Sequence, residues 1–122
     1  MIALKEKMNS QSMKFFVLLA FGFMHFNPVI GSIWQVDSLN DSGYGSLRAA
    51  INLAQTGDEI RFNPILLNNG SDTIKLNSQI AILNKSISVV GLYNLYDTLF
   101  ISGQDSSRIF RINNCDKVIL DS

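Results

Sequence analysis

Residues 57–90 read GDEIRFNPILLNNGSDTIKLNSQIAILNKSISVV. Apolar residues recur two apart in this stretch, as Ile60/Phe62, Ile74/Leu76, Ile80/Ile82 and Ile87/Val89, with Asn, Asp, Gly and Ser between the pairs. A spacing of two puts both members of a pair on one face of a strand. The pattern continues through Leu99/Ile101, Phe110/Ile112 and Val118/Leu120. Each pair predicts a strand of about three to five residues. Successive pairs start 14, 6, 7, 12, 11 and 8 residues apart, with no second helix and no two-residue Asn-Gly or Asp-Gly hairpin between strands. Links this short and uneven suit a chain that winds onward with three strands per coil. Grouped in threes, equivalent pairs recur (60→87, 74→99, 80→110, 87→118) at 25 to 31 residues, which is a solenoid period. An antiparallel sandwich is the competing arrangement.

Upstream, residues 33–36 (IWQV) form a short strand candidate and residues 37–45 (DSLNDSGYG) are a loop by composition. Ser46 is positioned as a helix N-cap. Leu47, Ala50, Ile51 and Ala54 follow at helical spacing, and Gly57 reads as the C′ residue of a helix of about ten residues. A helix that short needs an apolar surface to lie on. The first coil of a solenoid offers one, because its end exposes apolar side chains and unpaired strand edges.

The first 32 residues read as an address. Residues 15–26 (FFVLLAFGFMHF) are apolar, Lys5, Lys7 and Lys14 precede them, and Asn27, Pro28 and small residues follow. This is the layout of a secretory signal peptide with an N-terminal extension, cut after Gly31 or, alternatively, Ser32. Met8 or Met13 is an alternative start. The run is too short for a stable membrane span, which needs about 20 apolar residues.

Full-length charge is balanced, with ten basic and ten acidic residues, and this argues against a nucleic-acid partner. From residue 33 onward seven basic and nine acidic residues leave a charge near −2. One cysteine excludes an intramolecular disulfide and any multi-thiolate zinc site. A domain of this size buries only about 60–65% of its unfolded surface, so stability has to come from stacking.

The stretches VDSLNDSGYGSLRAAI (36–51) and GDEIRF (57–62) resemble the N-terminal cap of secreted bacterial right-handed parallel β-helix proteins, including the CSLREA-type and polymorphic outer-membrane adhesin-like groups. TLFISGQDSSRIFRI (98–112) resembles the coils that follow such a cap. Gly45 and Ala49 stand where the named motif has Cys and Glu. The resemblance implies an all-β solenoid start with a short capping α-helix. It divides the chain into signal (1–32), cap (33–57) and first coils (58–122). It also implies a bacterial, cell-surface or extracellular location. Such proteins run on for many coils, so the chain reads as a truncated solenoid, or one whose open end a partner covers. The partners expected are further coils of the same protein, and a polysaccharide or a host surface.

Candidate chemistry is sparse. Asp37, Asn40, Asp41 and Ser42 cluster oxygen ligands that suit Ca²⁺, but a side-chain-bonded turn is the simpler reading, and no cofactor, metal site or catalytic residue is assigned. Arg48 is expected to tie the helix to Asp37, Asp41 or Asp58. Asp58 and Glu59 point to opposite faces of a strand and so cannot share a sugar. Asp58 reads as a hydrogen-bonding residue after the Gly57 turn. Cys115, lacking a histidine partner in the mature part, reads as a corner or inward residue, and Trp34 as core. The cap residues are Ser46, Leu47, Arg48, Ala50, Ile51, Ala54 and Gly57. Tyr93, Tyr96, Asp105 and Arg108 form the candidate binding surface. Asn40, Asn69 and Asn84 begin Asn-x-Ser sequons. For residues 33–122 the expected role is a non-catalytic scaffold that serves adhesion or ligand presentation. The alternatives are the N-terminal part of a polysaccharide lyase or hydrolase, or a non-functional fragment.

Overall fold

A computed structural model of the chain describes residues 30–92 and 95–121. The apolar run at 15–26, with the lysines and alternative start methionines around it, and Tyr93 lie outside these residues. Eight short strands and one α-helix make up the fold: β1 (Ile33–Val36), α1 (Leu47–Leu53), β2 (Glu59–Phe62), β3 (Asp72–Lys75), β4 (Ile80–Leu83), β5 (Ser88–Val90), β6 (Leu99–Ser102), β7 (Phe110–Asn113) and β8 (Ile119–Asp121).

All strand pairing among the described residues is parallel. One sheet has the order β1-β2-β5-β8, a second pairs β3 with β6, and a third pairs β4 with β7. From β2 onward each paired strand therefore meets the third strand after it. The antiparallel sandwich is thereby excluded, since it requires antiparallel neighbours. Inward positions stack in line: Ile60 beside Val89 beside Leu120, Ile74 beside Ile101, and Ile80 beside Phe110. Ile60, Ile74, Leu76, Ile80 and Ile82 are completely buried, and full burial of such a side chain stabilises by roughly 1.5–3 kcal/mol.

The pairing offsets are 29, 27, 30 and 31 residues. Two registers differ from the sequence expectation. Val89, not Ile87, lies beside Ile60, and Ile101, not Leu99, lies beside Ile74. In the first case Asp58 occupies the register position next to Ile87, and its carbonyl accepts from Ser88 N at 3.1 Å. A shift of two residues keeps the same face inward, so alternation alone does not resolve it.

Three further expectations need correction. The helix has seven residues rather than about ten, and it ends at Ala54, whose backbone is already extended. Gly57 is not its C′ residue. It sits in the next turn at φ +95°, a conformation that favours glycine, and its N–H reaches Ser86 O at 2.8 Å. The second correction is a one-turn 3₁₀ helix, Pro64–Leu67, between β2 and β3, where no helix was expected. The Asn63 side chain caps it by accepting from Ile65 N at 3.1 Å, and Pro64 suits its first turn. The third concerns Ile112 and Leu120, read as inward residues, which are about half exposed. Among the described residues β6, β7 and β8 have no strand on their outer side.

The corners of successive coils are tied together. Asn84 and Asn114 both adopt left-handed backbone (φ 56° and 52°), and Asn114 Nδ2 donates to Asn84 Oδ1 at 2.6 Å. Asparagine tolerates that conformation because its short amide can bond locally. Gln104 Nε2 donates to Leu76 O at 3.0 Å, and Cys115 Sγ to Ile82 O at 3.4 Å. Cys115 is partly buried against the core, as a corner residue should be.

Candidate functional site

The sequence motif around Ser46 and Arg48 builds a closed end beneath the first coil. Ser46 is fully buried; its Oγ accepts from Ala49 N at 3.1 Å and donates to Gly43 O at 2.8 Å. One hydroxyl thus caps the helix and holds the preceding loop. Leu47, Ala50, Ile51 and Ala54 turn inward and join the core of Ile60, Ile80 and Ile82.

Arg48 fixes where the helix lies. Its Nη2 is 2.6 Å from Asp41 Oδ1 and donates to Ser78 O at 2.7 Å, while Nη1 donates to Gln79 O at 3.0 Å. Of the three carboxylates that the sequence offered as its partner, Asp41 is the one used. At the other end of the helix, Lys85 Nζ donates to the carbonyls of Ile51 and Ala54. Cationic donors suit the carbonyl end of a helix. The helix start is therefore pinned just before β4 and its end just after β4. It runs along that strand in the place where a preceding strand would pair.

Asp58 is the second organising group, and the sequence understated it. It is 7% exposed. Oδ1 accepts from Ser32 N at 2.7 Å, and Oδ2 accepts from Trp34 Nε1 at 2.8 Å and from Gln55 N at 2.9 Å. The Gln55 N–H, then the Trp34 ring N–H and the Ser32 N–H, hold its carboxyl below the ordinary value of 3.8; burial opposes them and the Lys85 charge adds a smaller pull in their direction. Trp34, expected in the core, is only half-buried at its edge because its ring nitrogen serves Asp58. Glu59 pairs with Arg61 on the opposite face of β2.

The oxygen-rich loop is held by protein partners. Asp41 engages Arg48, and Asp37 Oδ1 accepts from Asn63 Nδ2 at 2.8 Å. Among the described residues no three His, Cys, Asp or Glu side chains converge as a ligand set. An open groove of ≈330 Å³ lies between β1 and α1, lined by Ile33, Trp34, Tyr44, Ala49 and Leu53. Tyr44 is fully exposed there.

Of the candidate binding surface, Tyr96 is exposed on the β5–β6 connection, and Asp105 and Arg108 are exposed on the β6–β7 connection. These are two different corners of one coil, and none of the three lines the groove. Asp105 is held in left-handed backbone at φ 57°. Among the described residues no helix is long and apolar enough to cross a membrane. No protein-family model matches the chain, and no curated protein or solved structure shows significant similarity to it.

Proposed function

We propose that the chain is an exported, non-catalytic scaffold: the capped N-terminal start of a right-handed parallel β-helix that presents its outer surface to a partner. The observation that carries this reading is the pairing order. Each strand from β2 onward lies parallel to the third strand after it, and α1 takes the place of a strand below β4. Parallel strands joined in one direction favour a right-handed path. A helix over the first coil shields apolar residues and strand edges that would otherwise template aggregation. The exposed connections carrying Tyr96, Asp105 and Arg108 are the surface offered to an acidic polysaccharide or a host-surface ligand, and the open face beyond β6, β7 and β8 accepts further coils or a covering partner.

The test is export of the full chain from a bacterial host, followed by binding and turnover assays on acidic polysaccharides with and without Ca²⁺. The expected result is secretion and binding without cleavage, weakened by Asp105→Ala and Arg108→Ala. Turnover would move the assignment to a lyase or hydrolase, and retention in the cytoplasm would overturn the exported reading.

A further inference from the structure

The geometry points to a maturation step that completes the fold: the chain is cut between Gly31 and Ser32, and the new α-ammonium group of Ser32 pairs with the buried carboxylate of Asp58. The inference rests on the exported reading above, which supplies the leader-removing endopeptidase. In the hydrolysis, the Gly31 C–Ser32 N bond breaks. Water supplies the oxygen that makes Gly31 a carboxylate and the hydrogen that makes Ser32 an amine, which takes a proton at neutral pH.

Asp58 is more than nine-tenths buried and accepts from three donors, all neutral in the uncut chain. Among the described residues it has no ion-pair partner. Lys85 is directed at helix carbonyls, Lys117 lines the shallow cavity beside Asp58, and Glu59 and Arg61 pair on the opposite face. A buried carboxylate without a countercharge is costly. The atom closest to supplying one is Ser32 N, 2.7 Å from Oδ1, where an ammonium would stand after the cut.

The structure also chooses between the two cleavage points left open by the sequence. The strand ladder starts at Ser32, whose carbonyl accepts from Glu59 N at 2.9 Å. Ile30, by contrast, is 87% exposed. A cut after Ser32 would remove both Ser32 contacts and leave the amine on Ile33. Gly31 adds a diagnostic feature: a Cβ there would lie 1.7 Å from Gly57 O, so only glycine fits while residue 31 stays attached.

The full chain is exported from a bacterial host, and the product's mass and terminal sequence are read. The expected first residue is Ser32. Its amine should react with an acylating reagent at least roughly fivefold more slowly in the folded product than in urea, the margin of a charge-assisted over a neutral hydrogen bond. Protection should vanish in Asp58→Asn and persist in Trp34→Phe, which leaves Oδ1 untouched. The amine's pKa should lie above the ordinary 7.7–8.0, so its stabilisation is complete below that range and lost as pH rises through the folded value. Gly31→Ala, a small residue that suits leader cleavage, should yield a product identical to wild type in mass and melting temperature. If Asp58→Asn does not fold, the wild-type comparison of folded and urea-unfolded amine decides. A mature terminus other than Ser32, or equal reactivity in folded and unfolded product, overturns the ion pair while leaving export intact. A product that retains residues 1–31 overturns both.

Discussion

Replacing Arg48 by methionine tests whether one guanidinium holds the helix against the first coil. Methionine keeps most of the apolar stem and removes the donors, so packing losses stay small. The wild-type side chain makes two short contacts, 2.6 Å to Asp41 Oδ1 and 2.7 Å to Ser78 O, and a third of 3.0 Å to Gln79 O. Both members of the ion pair are about one-fifth exposed. Solvent competes there, so each short bond counts near the lower end of the range for charged donors, about 1.5 kcal/mol, and the third bond counts for less. Arg48→Met should therefore cost about 3 kcal/mol, a large share of a total of about 5–15 kcal/mol for a native domain. Asp41→Asn removes only the charge of one acceptor and should cost about 1 kcal/mol. Arg48→Lys should lie close to Arg48→Met, because a point ammonium cannot reach acceptors that a planar fork spans. The assay is urea unfolding followed by Trp34 fluorescence, reading the midpoint at constant slope. High salt should weaken the Asp41 contribution and leave the carbonyl bonds largely intact. An Arg48→Met chain within about 0.5 kcal/mol of wild type would refute the reasoning, and would return Arg48 to the ligand-gripping role weighed against it.

Ser46→Ala removes a buried cap that serves two backbone groups and should cost about 1–2 kcal/mol by the same urea assay. Asn84→Ala loses both the Asn114 bond and the tolerance for φ 56°, whereas Asn84→Gly loses only the bond; the alanine chain should be the less stable by about 1 kcal/mol. Cysteines at Thr73 and Phe100, which are register partners on one face, should cross-link under mild oxidation, as shown by a mobility shift without reductant; no cross-link would contradict the β3–β6 pairing. Because Asp58 has a folded pKa below 3.8, its contribution is present above that value and is lost as pH falls through the folded value. The melting temperature should thus drop in acid, and Asp58→Asn should flatten that drop.

Much of the local structure was legible because it depends on neighbouring residues. Alternation in Ile60-Arg61-Phe62 and Ile80-Ala81-Ile82 defines a strand face without knowledge of the partner strand. Ser46 ahead of Leu47 and Ala50 marks a helix start, since a cap bonds backbone three residues on. The role of Arg48 was also visible, as three carboxylates lay within reach and the helix was too short to stand alone. The end of the helix was misjudged, because Gly57 looks like a terminator while the actual stop depends on Lys85, more than 30 residues away, binding the carbonyls of Ile51 and Ala54. The 3₁₀ turn at Pro64 carried a signal in Asn63-Pro64, a capping residue before a proline, that the count of apolar pairs passed over.

By itself the sequence determined that this is a strand-rich chain with one short amphipathic helix before the strands, a period near thirty residues and asparagine at its corners. These follow from side-chain periodicity and local hydrogen bonding, which act over a few residues. Only the tertiary structure decided the register between coils and the centrality of Asp58. A parallel pair can slide by two residues and still bury the same face, so the choice falls to packing across the whole coil. Asp58 looks like an ordinary turn carboxylate in sequence; it becomes an anchor because the fold brings Ser32 and Trp34, 26 and 24 residues away, to its two oxygens and removes water from around them.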